Sequence, residues 1–344
     1  MIKHLTTPAL RRLVLAGAGL LATIACAGAQ TSMKMVLDWN FEGHHSPYAL
    51  AADTGIFARN GLAVTIDRGY GSGDSATKVA SGAYDVGIAD LGAVIALNAK
   101  QGGIKLISIY QIYDVAPLSI MTLTENGIKS PADLAGKKLA APPGDSSRVM
   151  FPVFARANNI NPNTIEWIDV TPPLRSAMLL QKRADAITAQ FSEVISFRTL
   201  GVKDTDLVVL KYSDLGVKLY GHAIITTPRY AASHNMELNQ FLRSVVEAWT
   251  ATIKDPQTSI AVIKKRDALI DEKVEIERLD LMLRETIGTE TIVKNGFSPV
   301  DQGRLKFTVD VVTQSFALPP IDPKELYHPE FLPPANERVY PTKK

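Results

Sequence analysis

At 344 residues the chain is long enough for roughly two domains of ordinary size, each with its own buried core. Hydrophobic residues at 46 % and charged residues at 21 % exclude a disordered, collagen-like or coiled-coil protein. The net charge of +2 traces to Lys3, Arg11 and Arg12, and beyond residue 29 the chain carries 34 basic against 35 acidic side chains, no footprint for nucleic acid.

The three early cations precede an apolar run at 13–25 that ends in small residues with two A-x-A patterns, Ala25-Cys26-Ala27 and Ala27-Gly28-Ala29. This pattern predicts a cleavable secretory signal peptide over 1–29. The run is shorter than the roughly 20 residues a spanning helix needs. A lipid anchor on Cys26 is the competing reading, but Thr23 stands where such signals carry an aliphatic residue. Cys26 is the only cysteine, so cleavage after Ala29 leaves none for disulfides, thiolate nucleophiles, zinc-thiolate sites or iron–sulfur clusters.

Beyond the signal, short β-rich runs alternate with amphipathic helical stretches, which predicts an α/β fold with parallel-dominated sheets flanked by helices. A strand at 34–38, a helix at 47–60 closed by Gly61 and a strand at 63–67 form the first unit. A glycine-rich turn at 69–74, a short helix at 75–81, a strand at 85–89, a helix at 92–101 and a strand at 105–110 complete one lobe. A second series begins near Pro117. Its strands are expected at 118–122, 138–141, 166–170, 186–188 and 207–211, and its helices at 146–158 and 174–183. Ser130-Pro131 through Asp133 reads as a capped helix start. The strand at 222–226 leads into helices at 237–254, 256–265, 274–287 and 300–316, and the proline-rich 318–344 is expected as an extended surface strap. This gives 30–115 with 222–317 as a discontinuous first lobe, 116–221 as the second, and chain crossings near 114–117 and 220–222 as a hinge.

In open α/β sheets, ligands sit outside the carboxyl ends of strands, where helix N-termini present free N–H groups. Four βα junctions therefore hold the candidates. Asp38, Trp39, His44 and His45 follow the first strand, and Ser72, Gly73 and Asp74 follow the second. Asp90 ends the third strand, and Gly144, Asp145, Ser146 and Ser147 belong to the second series. The hydroxyl-bearing turns suit an anionic oxygen, with helix capping by Ser72 or Asp74 as the purely structural alternative. Trp39, Tyr70, Tyr113 and Phe191 fall near strand ends, where rings sandwich a flat ligand, although core packing is the default for any one ring. His44 and His45 beside Glu42 lack H-x-x-x-H spacing or a Cys partner, so no metal site and no cofactor are expected. There is no P-loop, no G-x-S-x-G and no H-E-x-x-H, and catalysis is not expected. Asp38, Asp90 and Glu193 are more readily acceptors for a ligand N–H than an acid/base pair.

Leu37-Asp38-Trp39-Asn40 with His44 or His45, Gly55-Ile56-Phe57, Asn60 to Ile66, Gly71-Ser72-Gly73-Asp74, Ser81 to Gly87 and Leu134-Ala135-Gly136-Lys137-Lys138-Leu139 together resemble the NMT1/THI5-like family. That family stands with the nitrate, sulfonate and taurine solute-binding proteins of ABC transporters. The resemblance implies a two-lobed, type II-like periplasmic binding fold that closes on a small solute and engages a permease and its ATPase. By position it implies Asp38, Trp39, His44 or His45 and Asp90 on one side, facing Gly144–Ser147 and Gln190–Glu193 with Phe191. The solute is a carboxylate or sulfonate, which the serine-bearing turns favour, or a pyrimidine precursor stacked on Trp39. The family's pyrimidine synthases are the enzymatic alternative, and their cysteine-rich motif is missing here. A ligand sensor for a membrane receptor shares every binding feature and differs only in its partner.

Overall fold

The computed structural model describes residues 30–341; the expected signal peptide at 1–29 and Cys26 lie outside the described residues. Five strands form the first sheet: β1 (Thr31–Val36), β2 (Leu62–Asp67), β3 (Val86–Asp90), β4 (Ile107–Gln111) and, from much later in the chain, β10 (His222–Thr226). Their order is β2-β1-β3-β10-β4. The second sheet holds β5 (Leu118–Leu123), β6 (Lys138–Ala141), β7 (Glu166–Asp169), β8 (Ala186–Gln190) and β9 (Leu207–Lys211), in the order β7-β6-β8-β5-β9. In each sheet four strands run one way and one is reversed: β10 is antiparallel to β3 and β4, and β5 to β8 and β9. The reversed strands are those with which the chain enters each sheet directly, without a crossover helix to turn it round.

Strands β3, β5 and β10 are buried along their whole length, which is why they read as largely apolar runs rather than alternating ones. The helices of the first series are α1 (Ser46–Asp53), α2 (Ile56–Arg59), α3 (Ser72–Ala80) and α4 (Leu91–Lys100). The helix expected at 47–60 is two pieces because Gly55 turns left-handed (φ +75°) between them. The second series carries α5 (Ser146–Val149), α6 (Phe151–Ala157), α7 (Arg175–Leu180) and α8 (Glu193–Thr199). The helix expected at 146–158 is likewise divided, at Met150, since Pro152 has no N–H to continue the ladder. Helices α9 (Pro228–Ser233), α10 (Asn235–Lys254), α11 (Pro256–Arg266), α12 (Glu272–Met282), α13 (Glu290–Asn295) and α14 (Gln302–Ser315) follow β10. Helix α10 buries Phe241 and Trp249, which pack on Phe57 (stacked, 5.4 Å) and Tyr48 (edge-on, 6.2 Å) of the first series. The late helices thus complete the core over the first sheet.

The last stretch is not fully extended: 3-10 turns at Pro323–Glu325, Pro329–Phe331 and Ala335–Glu337 interrupt it. Tyr327 bridges to Ser108 on β4, so the segment covers what would otherwise be an open sheet edge. Where the chain passes between the sheets the two connections hydrogen-bond to each other, Ala116 N–H to the Leu219 carbonyl and Gly221 N–H to the Tyr113 carbonyl, each at 3.0 Å. They approach so closely that a Cβ on Gly221 would lie 2.8 Å from Ala116 Cα.

Candidate functional site

The carboxyl ends of β1 and β3 face those of β6 and β8. Because β10 runs antiparallel, its first residue, His222, pairs in register with Asp90 and lands at the same end. The turn between β2 and α3 folds back onto β1, with Gly69 N–H donating to the Trp39 carbonyl (3.0 Å) and Gly71 N–H to the Asp38 carbonyl (2.7 Å). Gly71 holds φ +124°, and a Cβ there would fall 2.3 Å from the Gly144 carbonyl oxygen on the opposite side. Gly73 N–H donates to that same carbonyl at 3.0 Å. Two glycine turns, one from each sheet, therefore touch.

Beside this contact lies a small cavity, in which about 10 Å3 admits the centre of a water molecule. Asp38, Trp39, Glu42, Gly71 and Ser72 line it from one side, and Asp145, Ser146, Arg175, Gln190, Ser192 and Glu193 from the other. Asp38 is clasped by two imidazoles, His45 Nε2 on Oδ1 at 3.0 Å and His222 Nε2 on Oδ2 at 2.9 Å. His45 Nδ1 accepts from the Glu42 N–H (3.2 Å), which leaves its proton on Nε2, aimed at Asp38. Burial alone would raise the Asp38 carboxyl, but His222 and then His45 outweigh it and hold it well below the usual carboxylate range. The same pairing raises His222 against the lowering effect of its own burial. His44, fully enclosed, is driven down by burial and by His45, and so is neutral.

Across the cavity Asp145 caps α5: Oδ1 accepts from Arg148 N–H (2.9 Å) and Thr188 Oγ1 (2.6 Å), and Oδ2 faces Arg175 Nη1 at 3.2 Å. Glu193 Oε1 accepts from Ser176 Oγ (2.7 Å), and its Oε2 lies 3.3 Å from Arg175 Nη2. The Arg175 guanidinium lies over the Trp39 ring, 4.7 Å from its centroid. Beside the cavity Arg278, from α12, donates to the Ser192 carbonyl (3.1 Å) and Ser196 Oγ (2.7 Å) of the opposite side while holding Glu275 (3.1 Å) and Glu42 (3.7 Å) on its own. Burial raises the Glu42 carboxyl to about 7; Arg278 opposes this, and Glu275 and Glu193 add to it. Gln190 Oε1, Ser192 Oγ and Arg175 Nε are buried without a hydrogen-bond partner. Unsatisfied buried polar atoms on a cavity wall are what a ligand or water would satisfy.

Of the residues expected from sequence, Asp38, Trp39, Ser72, Asp145, Ser146, Gln190 and Glu193 meet at the cavity. His45 stands behind it, turned to Asp38, and His44 and Tyr113 pack edge to ring (6.1 Å) deeper still. Asp90 is also behind, capping α4 through Gly92 and Ala93 N–H, its carboxyl raised to about 6 mainly by burial. Ser147 is spent on framework bonds to the Ala189 carbonyl and Ser119 N–H. Asp74 turns away to pair with Lys78 (2.7 Å), and Tyr70 is half-exposed under Arg68 and Lys78. Phe191 lies under Lys211 in a separate groove. Glu42 and Arg175 at the cavity were missed, with His222 and Arg278 beside it, while Gly71 and Ser192 fall within the turn at 69–74 and the stretch Gln190–Glu193 without having been named singly. Arg175 had a signal: it opens the helix after β7, a βα junction left out of the four considered.

The NMT1/THI5 like family description matches residues 42–259. The formylaminopyrimidine-binding protein of Halalkalibacterium halodurans is 23 % identical over 281 residues, 77 % of this chain and 84 % of that protein. The 4-amino-5-hydroxymethyl-2-methylpyrimidine phosphate synthase of Schizosaccharomyces pombe is 21 % identical over 232 residues, 65 % of this chain and 66 % of that protein. Among solved structures, the alkanesulfonate-binding protein SsuA from Xanthomonas axonopodis pv. citri bound to MOPS superposes with a TM-score of 0.66 at 16 % identity, covering 88 % of this chain and all of that one. This last likeness establishes the periplasmic binding protein fold.

Proposed function

The chain belongs to the NMT1/THI5-like family, and from that premise we propose that it is the non-enzymatic, periplasmic solute-binding component of an ABC importer, serving a permease and its ATPase. The residues around the first sheet (30–115 and 222–317) act as one lobe and 116–221 as the other, hinged at the paired connections through Ala116 and Gly221. The solute is a small, flat, N–H-bearing heteroaromatic, an aminopyrimidine.

One observation carries the solute class. The cavity presents the Trp39 ring among four acid side chains, Asp38, Glu42, Asp145 and Glu193, with the Arg175 guanidinium on its wall and that of Arg278 beside it, 3.7 and 3.8 Å from Glu42 and Glu193. With more acids than guanidiniums, such a wall disfavours a sulfonate or carboxylate and accepts hydrogen bonds from ring amines, while the indole supplies the stacking face. The serine-bearing turns, which on sequence favoured an anion, have less bearing than this excess of acids: Ser147 is committed to backbone partners. The H. halodurans relative, named for binding formylaminopyrimidine, supports the same class. The synthase reading lacks its cysteine-rich motif, since Cys26 is the only cysteine.

A thermal-shift panel of aminopyrimidines, alkanesulfonates and aromatic carboxylates tests this. At a hundredfold excess over Kd, an aminopyrimidine stabilises by about 2.7 kcal/mol, roughly 4 °C for a protein of about 300 residues. Trp39→Ala removes the shift. A sulfonate or carboxylate giving the larger shift, or a Trp39→Ala response equal to wild type, overturns the assignment.

A further inference from the structure

The geometry points to Arg175 as a resident occupant of the solute seat, a built-in stand-in that an incoming solute must displace. This rests on the reading of the cleft as an aminopyrimidine seat.

The Arg175 side chain is 5 % exposed and lies over the Trp39 ring, its guanidinium carbon 4.7 Å from the ring centroid. With it in place, the space left admits little more than one water, so a ring stacked on Trp39 needs the volume the guanidinium now fills. Its hold is loose. The contacts to Asp145 and Glu193 are 3.2 and 3.3 Å, against 2.6 and 2.9 Å for the bonds that fix the other oxygen of the same Asp145, and Nε has no partner.

What Arg175 touches also describes its replacement. A guanidinium is planar, stacks on an aromatic face and presents a row of N–H donors along one edge. An aminopyrimidine is planar too, stacks on the same face and points its amine along one edge. Asp145 Oδ1 is pinned by Arg148 and Thr188, so Oδ2 keeps its direction after Arg175 departs. Oδ2, and Glu193 Oε2 with only Arg278 still facing it at 3.8 Å, then remain as buried carboxylate oxygens short of a donor. A solute with N–H groups at that edge restores them, and an anion leaves them unpaired and repelled. Displacement of Arg175 therefore filters solutes as well as admitting them.

Arg175→Met, with its unbranched stem, tests the inference by calorimetric titration of the full chain with 4-amino-2-methylpyrimidine. The variant, relieved of the competing stack, binds about tenfold more tightly than wild type. Tenfold weaker binding makes Arg175 a solute contact and overturns the proposal. Two solute-free readouts stand beside it. Millimolar methylguanidinium raises the Tm of Arg175→Met and leaves wild type unmoved. In 5-fluorotryptophan-labelled protein the Trp39 fluorine resonance, assigned with Trp39→Phe, shifts in Arg175→Met and moves back with methylguanidinium. If neither readout responds, the proposal fails. If both respond but wild type and variant alike bind no aminopyrimidine, the occupied seat stands and the solute class fails. Arg175→Lys, which keeps the charge and loses the plane, replaces the Met variant if that does not fold, with the same signs expected.

Discussion

Glu42 sits on the cavity wall with its carboxyl raised from 4.5 to about 7. The cause is burial, opposed by Arg278 and reinforced by the carboxylates of Glu275 and Glu193. Between those two values the folded protein keeps a proton that the unfolded chain releases, so stability falls as pH rises through that window and is lowest above it. At pH 8 the full separation is worth about 3 kcal/mol, at about 1.4 kcal/mol per unit. With an unfolding entropy near 2.1 cal/mol/K per residue over about 300 residues, that is about 5 °C in Tm. Glu42→Gln keeps the shape and removes the ionisation. Scanning calorimetry at pH 4.5, 6 and 8 is expected to show the variant level with wild type at the lowest pH and about 5 °C more stable at the highest. A pH-independent offset refutes the reasoning. So does a variant less stable at pH 8, which would mean that the ionised carboxylate beside Arg278 is a net stabiliser.

Asp38→Asn leaves at least one of the two imidazole N–H groups that now donate to the carboxylate without its acceptor, and removes the counter-charge of His222. Breaking one partner of a buried pair costs about 3–5 kcal/mol, roughly 5–8 °C in Tm, and NMR titration is expected to show the His222 pKa falling. Because the Asp38 carboxyl is depressed, the stability it contributes is present above the ordinary carboxylate range and is lost as pH falls through its folded value. Arg278→Met uncouples α12 from Ser192 and Ser196 and strands Glu42 and Glu275; calorimetry should show a similar loss of Tm and titration at least a tenfold weaker affinity for 4-amino-2-methylpyrimidine. Gly73→Leu adds bulk where a Cβ already lies 3.3 Å from Gly144 Cα. It is expected to weaken solute binding about tenfold or more while shifting the Tm of the solute-free protein by about 2 °C at most.

The fold was legible because burial writes itself into the sequence: β3, β5 and β10 are largely apolar, and Gly61 marks a helix end, although the breaks at Gly55 and before Pro152 were not read. The order of strands was not legible, because an apolar run says nothing about its neighbours; the reversal of β5 and β10 is a property of the tertiary path. Helix α8 escaped notice since its seven residues hold too few turns to show a period. Within the site, residues at strand ends were readable from position alone, as Asp38, Trp39 and Gln190 show. Whether a polar side chain faces the cavity or serves the framework depends on partners far away in sequence. Ser147 is claimed by Ser119 and Ala189, 28 and 42 residues away. Arg278, whose partners beyond its own helix, Ser192, Ser196 and Glu42, lie 82 or more residues away, gave no local signal.

Small-angle scattering with and without saturating 4-amino-2-methylpyrimidine tests the hinged clasp most directly. The seat is walled by residues of both sheets, so the halves must part for a solute to reach it. The solute-free protein is therefore expected to have the larger radius of gyration, with solute drawing it down to the value calculated from this structure and the pyrimidine recovered chemically unchanged. A profile that bound solute leaves unaltered, or a pyrimidine returned as a different compound, contradicts the account.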